Sequence, residues 1–379
     1  GLYSSIERVD RACGVGCGDV GALVERVGVG QERKWGRCRQ GLCVAGYQLR
    51  EEFCFIGGRF AAKAGGGRAV RYGVTSRYVT GLEIVTAAGE VMTVGGKRFK
   101  DVTGLDLLRL LTGSEGTLAV FTKIYLRLLP RPLARVIARI SFGDELAALR
   151  SVPRIIGDDT IQPSSVEFLD SVCLSQTRAF MGQADADTSE SMLFIELDGS
   201  DSSSFKRRLG KLSQLISKHG AEAEVTVAKT DDDMEGLWKI RKQVPWALKK
   251  MNPALTAEDI VVPIGHSADL LLIIRELSNR FGVAIPFFGH AGDGNYHASP
   301  MKPADASIEE WDATLQALLT ELYTRTRDLG GTISGEHGIG HKRLKYLPLV
   351  LDDAQRALLN GIKQAFDPSG ILNPGTLFG

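Results

Sequence analysis

The dipeptide Asp293-Gly294 constrains this chain more than any other pair of residues. Asp-Gly favours a two-residue turn of the kind that joins antiparallel strands. In Gly289-His290-Ala291-Gly292-Asp293-Gly294-Asn295-Tyr296-His297, such a turn sets Gly292 against Asn295 and His290 against His297. Directly opposed residues hold their Cβ atoms about 4.5–5.5 Å apart on one face of the ladder. A helix also aligns positions seven apart, but Gly292 and Gly294 weigh against it. Two imidazoles so placed can grip one metal ion. The alternative is a glycine-rich hairpin carrying two unrelated histidines.

A second cluster lies downstream. Gly330-Gly331-Thr332-Ile333-Ser334-Gly335-Glu336-His337-Gly338-Ile339-Gly340 places a carboxylate beside a histidine among five glycines, and four of the six histidines fall between His290 and His341. Two histidines and one carboxylate leave open positions on a divalent ion, the arrangement of a catalytic site. Neighbouring extended residues point in opposite directions, so of Glu336 and His337 one can bind the metal while the other faces substrate. Imidazole is also the natural proton acceptor near neutral pH. These residues together predict a metal-assisted acid/base site. His341, beside Lys342 and Arg343, reads as a solvated surface residue.

The surrounding pattern predicts an α+β fold. Ile56-Gly57-Gly58 and Ala64-Gly65-Gly66-Gly67 read as glycine turns, which let backbone approach a ligand or simply reverse the chain. Strands are expected at Val79–Thr86 and Glu90–Val94, joined across Ala88-Gly89, then a short helix around Gly104–Thr112. The turn Gly113-Ser114-Glu115-Gly116-Thr117 opens a further strand through Leu128 and suits the edge of a cofactor. Pro130-Arg131-Pro132 marks a domain boundary. Beyond it, strands at Val136–Phe142, Ser165–Leu169, Leu193–Leu197 and Ala223–Val227 are expected. Helices are expected at Asp144–Ser151 and Ser204–His219, the latter closed by Gly220. That β-α-β-β-α-β order is ferredoxin-like. Ser267 is expected to cap a helix ended by Gly282, leading through a strand at Val283–Phe288 into the His290 turn. Ser307 with Glu310 makes a capping box for a helix through Leu329.

The two histidine clusters, followed by Phe366-Asp367-Pro368-Ser369-Gly370-Ile371-Leu372-Asn373-Pro374-Gly375, resemble the C-terminal signature of FAD-linked 2-hydroxyacid dehydrogenases. These are the D-lactate dehydrogenase and glycolate oxidase flavoprotein-subunit group of the vanillyl-alcohol-oxidase superfamily. The resemblance runs from about residue 54 to the C-terminus. It implies a partial FAD-binding domain of the p-cresol-methylhydroxylase (PCMH) type at 54–130 and a ferredoxin-like substrate or cap domain with the metal site at 131–345. A C-terminal helix and tail at 346–379 return to the flavin, and residues 1–53 are left unassigned. It further implies that His290, His297 and Glu336 bind a divalent metal and that His337 is the general base. Arg241, in Leu237-Trp238-Lys239-Ile240-Arg241, would bind the substrate carboxylate. Non-covalent FAD would be contacted by Gly57, Gly58, Gly65, Gly66, Gly113, Ser114, Gly116, Thr117 and Asn373.

Arg59 and Lys63 stand where the family usually has asparagines, and Phe60 fills a position that is normally small. Leu105 replaces a tyrosine and Ala119 a glycine. The family's earlier Arg-Gly-Gly-Gly-Thr-Gly pyrophosphate loop has no counterpart in residues 1–55. A non-catalytic subunit or inactive fragment that has lost FAD binding is therefore the alternative to an active enzyme.

Composition agrees with a flavoenzyme without suggesting one. The 379 residues suffice for two domains. A formal net charge of +1 and an ordinary charged fraction point to neither nucleic acid nor a membrane-binding basic face. No apolar run approaches the ~18 residues of a transmembrane helix. The chain begins with Gly1, which reads as a processed or truncated start. Cys13, Cys17, Cys38, Cys43 and Cys54 precede residue 55 and only Cys173 follows. Their spacings are loose for a zinc site, and a disulfide framework is no better supported in a chain this long. No histidine precedes His219, which excludes a histidyl-linked flavin in the N-terminal half.

The expected reaction is oxidation of a small 2-hydroxy acid to its 2-oxo acid, with hydride passing to FAD and electrons to a quinone, cytochrome or electron-transfer flavoprotein. The ligand set points first to zinc, with manganese or iron(II) fitting the same donors. A homo- or hetero-oligomer is compatible, and the expected location is the cytoplasm or a membrane periphery, mitochondrial in a eukaryote. A metallohydrolase using the same triad is the rival chemistry.

Overall fold

Val79–Val85 buries Val79, Gly81, Leu82 and Ile84, leaves the residues between them half-buried, and pairs antiparallel with Val91–Gly95 across a turn where Gly89 takes φ +83°. In the computed structural model, residues 56–183, 190–218 and 223–378 are described, together with the strands Val15–Gly16, Gly21–Glu25 and Leu42–Cys43. Cys13, Cys17, Cys38, Cys54 and Gly220 lie outside the described residues. Contacts divide the chain into two units. One comprises residues 1–66, 72–131 and 336–379; the other comprises 67–71 and 132–335.

The first unit is built on a five-stranded antiparallel sheet in the order Val15–Gly16, Gly21–Glu25, Val120–Arg127, Val79–Val85, Val91–Gly95. Phe60, Leu82, Ile84, Leu111, Phe121 and Ile124 form its core, and Ile362 and Phe366 of the helix Asp353–Phe366 pack against it. Two expectations change here. Gly57 and Gly58 lie in a short helix, Ile56–Ala61, and not in a turn. The helix expected around Gly104–Thr112 shortens to Leu107–Leu111, because the Asp106 side chain accepts from Arg109 N and starts it there.

The second unit carries strands β1 (Ala134–Phe142), β2 (Ser165–Leu169), β3 (Ser191–Gly199), β4 (Ala223–Ala228), β5 (Ile260–Val261), β6 (Phe287–His290) and β7 (Asn295–Ala298). They form one sheet in the order β4-β1-β3-β2-β6-β7-β5. The first four repeat the ferredoxin-like order, and the hairpin β6–β7 extends it beside β2 through antiparallel pairing. Its helices are α1 (Glu145–Gly157), α2 (Ser171–Phe180), α3 (Phe205–Lys218), α4 (Asp231–Met251), α5 (Ser267–Phe281) and α6 (Ile308–Asp328).

Helix α2 interrupts the expected β-α-β-β-α-β order. The fully buried Asp170 caps it, accepting from Cys173 N at 2.8 Å, and the free thiol of Cys173 is buried beneath. Helix α1 continues past Ser151 and Pro153 to Gly157 because Val152 and Ile155 are fully buried on its inner face. Ser267 is the first residue of α5 and not its cap; its hydroxyl donates to Ile264 O. Gly282 ends α5 in the left-handed region, and Ser307 with Glu310 forms the complete capping box of α6. The strand expected at Val283–Phe288 begins only at Phe287. Among the described residues, no helix is long and apolar enough to cross a membrane.

Candidate active site

The histidine hairpin forms, with a different register. Phe288 pairs with His297 and His290 with Asn295. The connection is a 3-10 turn, Ala291–Asp293, closed by Gly294 at φ +76°. Tertiary packing leaves little or no room for side chains at two positions of this longer loop. A Cβ on Gly294 would lie 2.1 Å from Val262 O, and one on Gly292 would lie 3.1 Å from Val70 Cβ. The two-residue offset leaves both histidines on one face, since side chains alternate with period two. They are diagonal neighbours. Their ring centroids stand 5.7 Å apart at 83°, and one nitrogen of each ring lies within 4.8 Å of the other. Both are buried.

Glu167 on β2 pairs directly with His290 across the sheet. Its Oε1 lies 2.6 Å from His290 Nδ1, and its Oε2 accepts from Arg241 Nε of α4 at 2.6 Å. Burial alone would raise the Glu167 pKa. The charges of His290 and Arg241 and their hydrogen bonds outweigh it and hold the carboxyl below the usual range. Arg241 is 2 % exposed and its guanidinium lies over the Phe288 ring at 4.9 Å. Among the described residues no hydrogen bond engages either Nη of Arg241.

On the far side of the hairpin the Asn295 amide donates to Asp259 Oδ1 at 2.8 Å. Asp259 Oδ2 accepts from Ser334 Oγ and Gly335 N at 3.0 and 2.9 Å. Gly335 has no room for a side chain, since its Cβ would fall 2.5 Å from Asn295 Nδ2. Glu167, Asp259 and Asn295 escaped the sequence reading. Only the acid-containing strand Val166-Glu167-Phe168, buried along its whole length, hinted that a carboxylate there needs partners.

The boundary between units falls at the bond from Gly335 to Glu336. Glu336 and His337 occupy a bend, not an extended strand, and their side chains do not diverge: His337 Nε2 lies 3.9 Å from Glu336 Oε1. Gly338 at φ +79° reverses the backbone, after which Ile339 N and Gly340 N donate to the Glu115 carboxylate at 2.7 and 2.8 Å. His341 is exposed.

Glu115 belongs to the turn Gly113–Thr117, whose Gly113, Glu115 and Gly116 all take positive φ. The turn is docked on the helix Ile56–Ala61 through Gly113 N to Phe60 O and Glu115 N to Ala61 O. Asn373 reaches it from the C-terminal tail, donating to Glu115 O at 2.6 Å. Lys363 ties the tail down by donating to Thr117 O at 2.8 Å, Leu372 O at 2.9 Å and Asp367 at 2.5 Å. Gly65 and Gly66 are buried nearby in sequence, and Lys63 lies across Gly113, with its Cβ 3.1 Å from where a Gly113 Cβ would be. The Ser114 hydroxyl is buried and, among the described residues, has no hydrogen-bond partner. Such an orphan, beside strained backbone with small side chains, fits the polar edge of a cofactor. The two buried imidazoles, one oriented through Nδ1 by a carboxylate, equally fit a divalent ion.

Residues 131–377 match the family described as FAD linked oxidases, C-terminal domain. The chain is 35% identical over 323 residues to the glycolate oxidase subunit GlcD of Bacillus subtilis, covering 85% of this chain and 68% of that protein. It is 31% identical over 333 residues to the D-lactate dehydrogenase of Anaerostipes hadrus, covering 86% and 70% respectively. Among solved structures, p-cresol methylhydroxylase with substrate bound matches 97% of this chain and 78% of that one, with a TM-score of 0.75 at 17% identity. The 4-ethylphenol oxidase of Gulosibacter chungangensis matches the same share of each chain, with a TM-score of 0.71 at 18% identity. These last two show the α+β fold of PCMH-type flavin oxidases. With the glycine turn, the tail and the histidine hairpin in place, the sequence matches make this chain a member of the FAD-linked oxidase family and an oxidoreductase.

Proposed function

We propose that the chain oxidises a small 2-hydroxy acid of the D-lactate or glycolate type to its 2-oxo acid. The relatives named as glycolate oxidase subunit and D-lactate dehydrogenase support the substrate class. The observation that carries the reading is the buried face on which His290, His297, Glu167 and Arg241 meet. His290, His297 and Glu336 would hold a divalent ion, zinc first by donor type. When bound, FAD supplies the two-electron acceptor and the ion supplies Lewis acidity toward the substrate hydroxyl. Arg241, with its Nη edge unengaged among the described residues, receives the substrate carboxylate as a two-pronged donor. His337 takes the hydroxyl proton. Gly113–Thr117, Asn373 and the glycines at 57, 58, 65 and 66 would form the flavin seat, with the Ser114 hydroxyl donating to it. The electron acceptor is a quinone, cytochrome or electron-transfer flavoprotein.

A second reading rests on Lys63, whose stem lies against Gly113 where the family has an asparagine: a subunit that has lost FAD. An absorption spectrum of the purified chain, with and without added FAD, separates the two. Flavin bands that bleach with D-lactate, glycolate or D-2-hydroxyglutarate support the enzyme. A protein that stays colourless in excess FAD supports the subunit.

A further inference from the structure

We propose that Glu167 is a positioning residue whose single carboxylate sets both His290 as a metal ligand and Arg241 as an anion anchor. This rests on the reading of His290 and His297 as metal ligands. Glu167 is fully buried, and its two oxygens face two different donors, His290 Nδ1 and Arg241 Nε, each at 2.6 Å. An ionised carboxylate only accepts hydrogen bonds, so the His290 proton belongs on Nδ1 and the lone pair on Nε2, the atom that would ligate an ion. The second oxygen fixes the guanidinium by its Nε side and leaves the Nη pair for a ligand's carboxylate. Ion and substrate anchor thus share one buried support.

No other side chain can serve both donors. Glutamine has one acceptor oxygen, so its NH2 group would confront either the imidazole N–H or the guanidinium. Aspartate is one methylene shorter. The strap Gly67–Arg71 closes over the carboxylate within the same unit. A Cβ at Gly67 would lie 2.6 Å from Glu167 Oε1 and 3.4 Å from Ser165 Oγ. Arg68 pins the strap by a two-point bond to Glu196, at 2.7 and 2.9 Å. Gly67 takes no positive φ. An alanine there is therefore tolerated by the backbone and acts only by pressing on the carboxylate.

The test compares the full chain as wild type, Glu167→Gln and Gly67→Ala, each stripped of metal with a chelator and confirmed folded by circular dichroism. Zinc affinity is read by competition with a chromophoric chelator. The His290 tautomer is read by histidine ¹⁵N NMR on the metal-free proteins. Glu167→Gln is expected to weaken zinc binding by about 10–100-fold and to shift His290 away from the Nδ1-protonated tautomer. Gly67→Ala is expected to act in the same direction by a smaller factor, and it carries the test if Glu167→Gln does not fold. Zinc binding within about threefold of wild type, with an unchanged tautomer, would overturn the assignment. If the wild type binds no zinc, the metal reading fails by itself. The metal-free tautomer comparison then still decides whether Glu167 sets His290.

Discussion

At the residue scale, the buried charges decide what can be changed. Glu196 is 1 % exposed and is held by Arg68, Trp238 Nε1 at 3.1 Å and Ser164 Oγ at 3.2 Å. Burial would raise its pKa, but the Arg68 charge and hydrogen bonds, Arg135 and Trp238 outweigh it and lower it from 4.5. A depressed carboxylate stabilises the fold above its unfolded pKa, and that stability is lost as pH falls through the folded one. Arg68→Ala removes the paired cation and leaves the buried charge to Trp238, Ser164 and the Arg135 charge, which costs about 3 kcal/mol at neutral pH. Thermal melts should show this loss at pH 7 shrinking on acidification below 4.5; a pH-independent loss would refute the ion-pair origin. For the proposed chemistry, His337→Ala should reduce turnover of a 2-hydroxy acid by about 10²–10⁴. Zinc content should stay unchanged, and undiminished turnover would displace His337 as the base.

At the element scale, the hairpin β6–β7 and the C-terminal clamp carry the geometry. Gly294 at φ +76° faces Val262 O, so Gly294→Ala meets both backbone strain and a carbonyl. Strain alone costs roughly 1–3 kcal/mol. Chemical denaturation should show at least that, and a neutral substitution would contradict the turn. Lys363→Met removes three donated bonds and leaves the fully buried Asp367 without its cationic partner, held by Ile371 N and Leu372 N, at a cost of about 3 kcal/mol. Limited proteolysis should then cut after Phe366 sooner than in wild type. Elements with local signals were legible beforehand: Ser165–Leu169 by composition, α6 by its Ser307–Glu310 box, and the end of α5 by Gly282. Helix α2 was not, because what starts it is a buried aspartate at the end of a strand, also held by Arg275.

At the scale of the whole molecule, the proposed flavin seat lies in the first unit and the histidine pair of the proposed metal site in the second. Hydrogen exchange should report them separately, since a ligand slows opening of the structure it stabilises. FAD is expected to protect Gly113–Thr117 and the tail around Asn373, and zinc the backbone of residues 287–298. Protection appearing in the opposite places would reverse the assignment of seats. The sequence alone carried the family, through three motifs in order, along with the α+β pattern, the Ser307–Glu310 box and the Gly282 stop. Those are local signals, written in neighbouring residues. The turn of the histidine hairpin packs against Val70 and Val262, far away in the chain. The partners of His290 and Arg241 were decided by Glu167, which lies 123 and 74 residues from them. Strand register and buried charge pairing depend on what packs alongside, and only the tertiary structure brings those residues together.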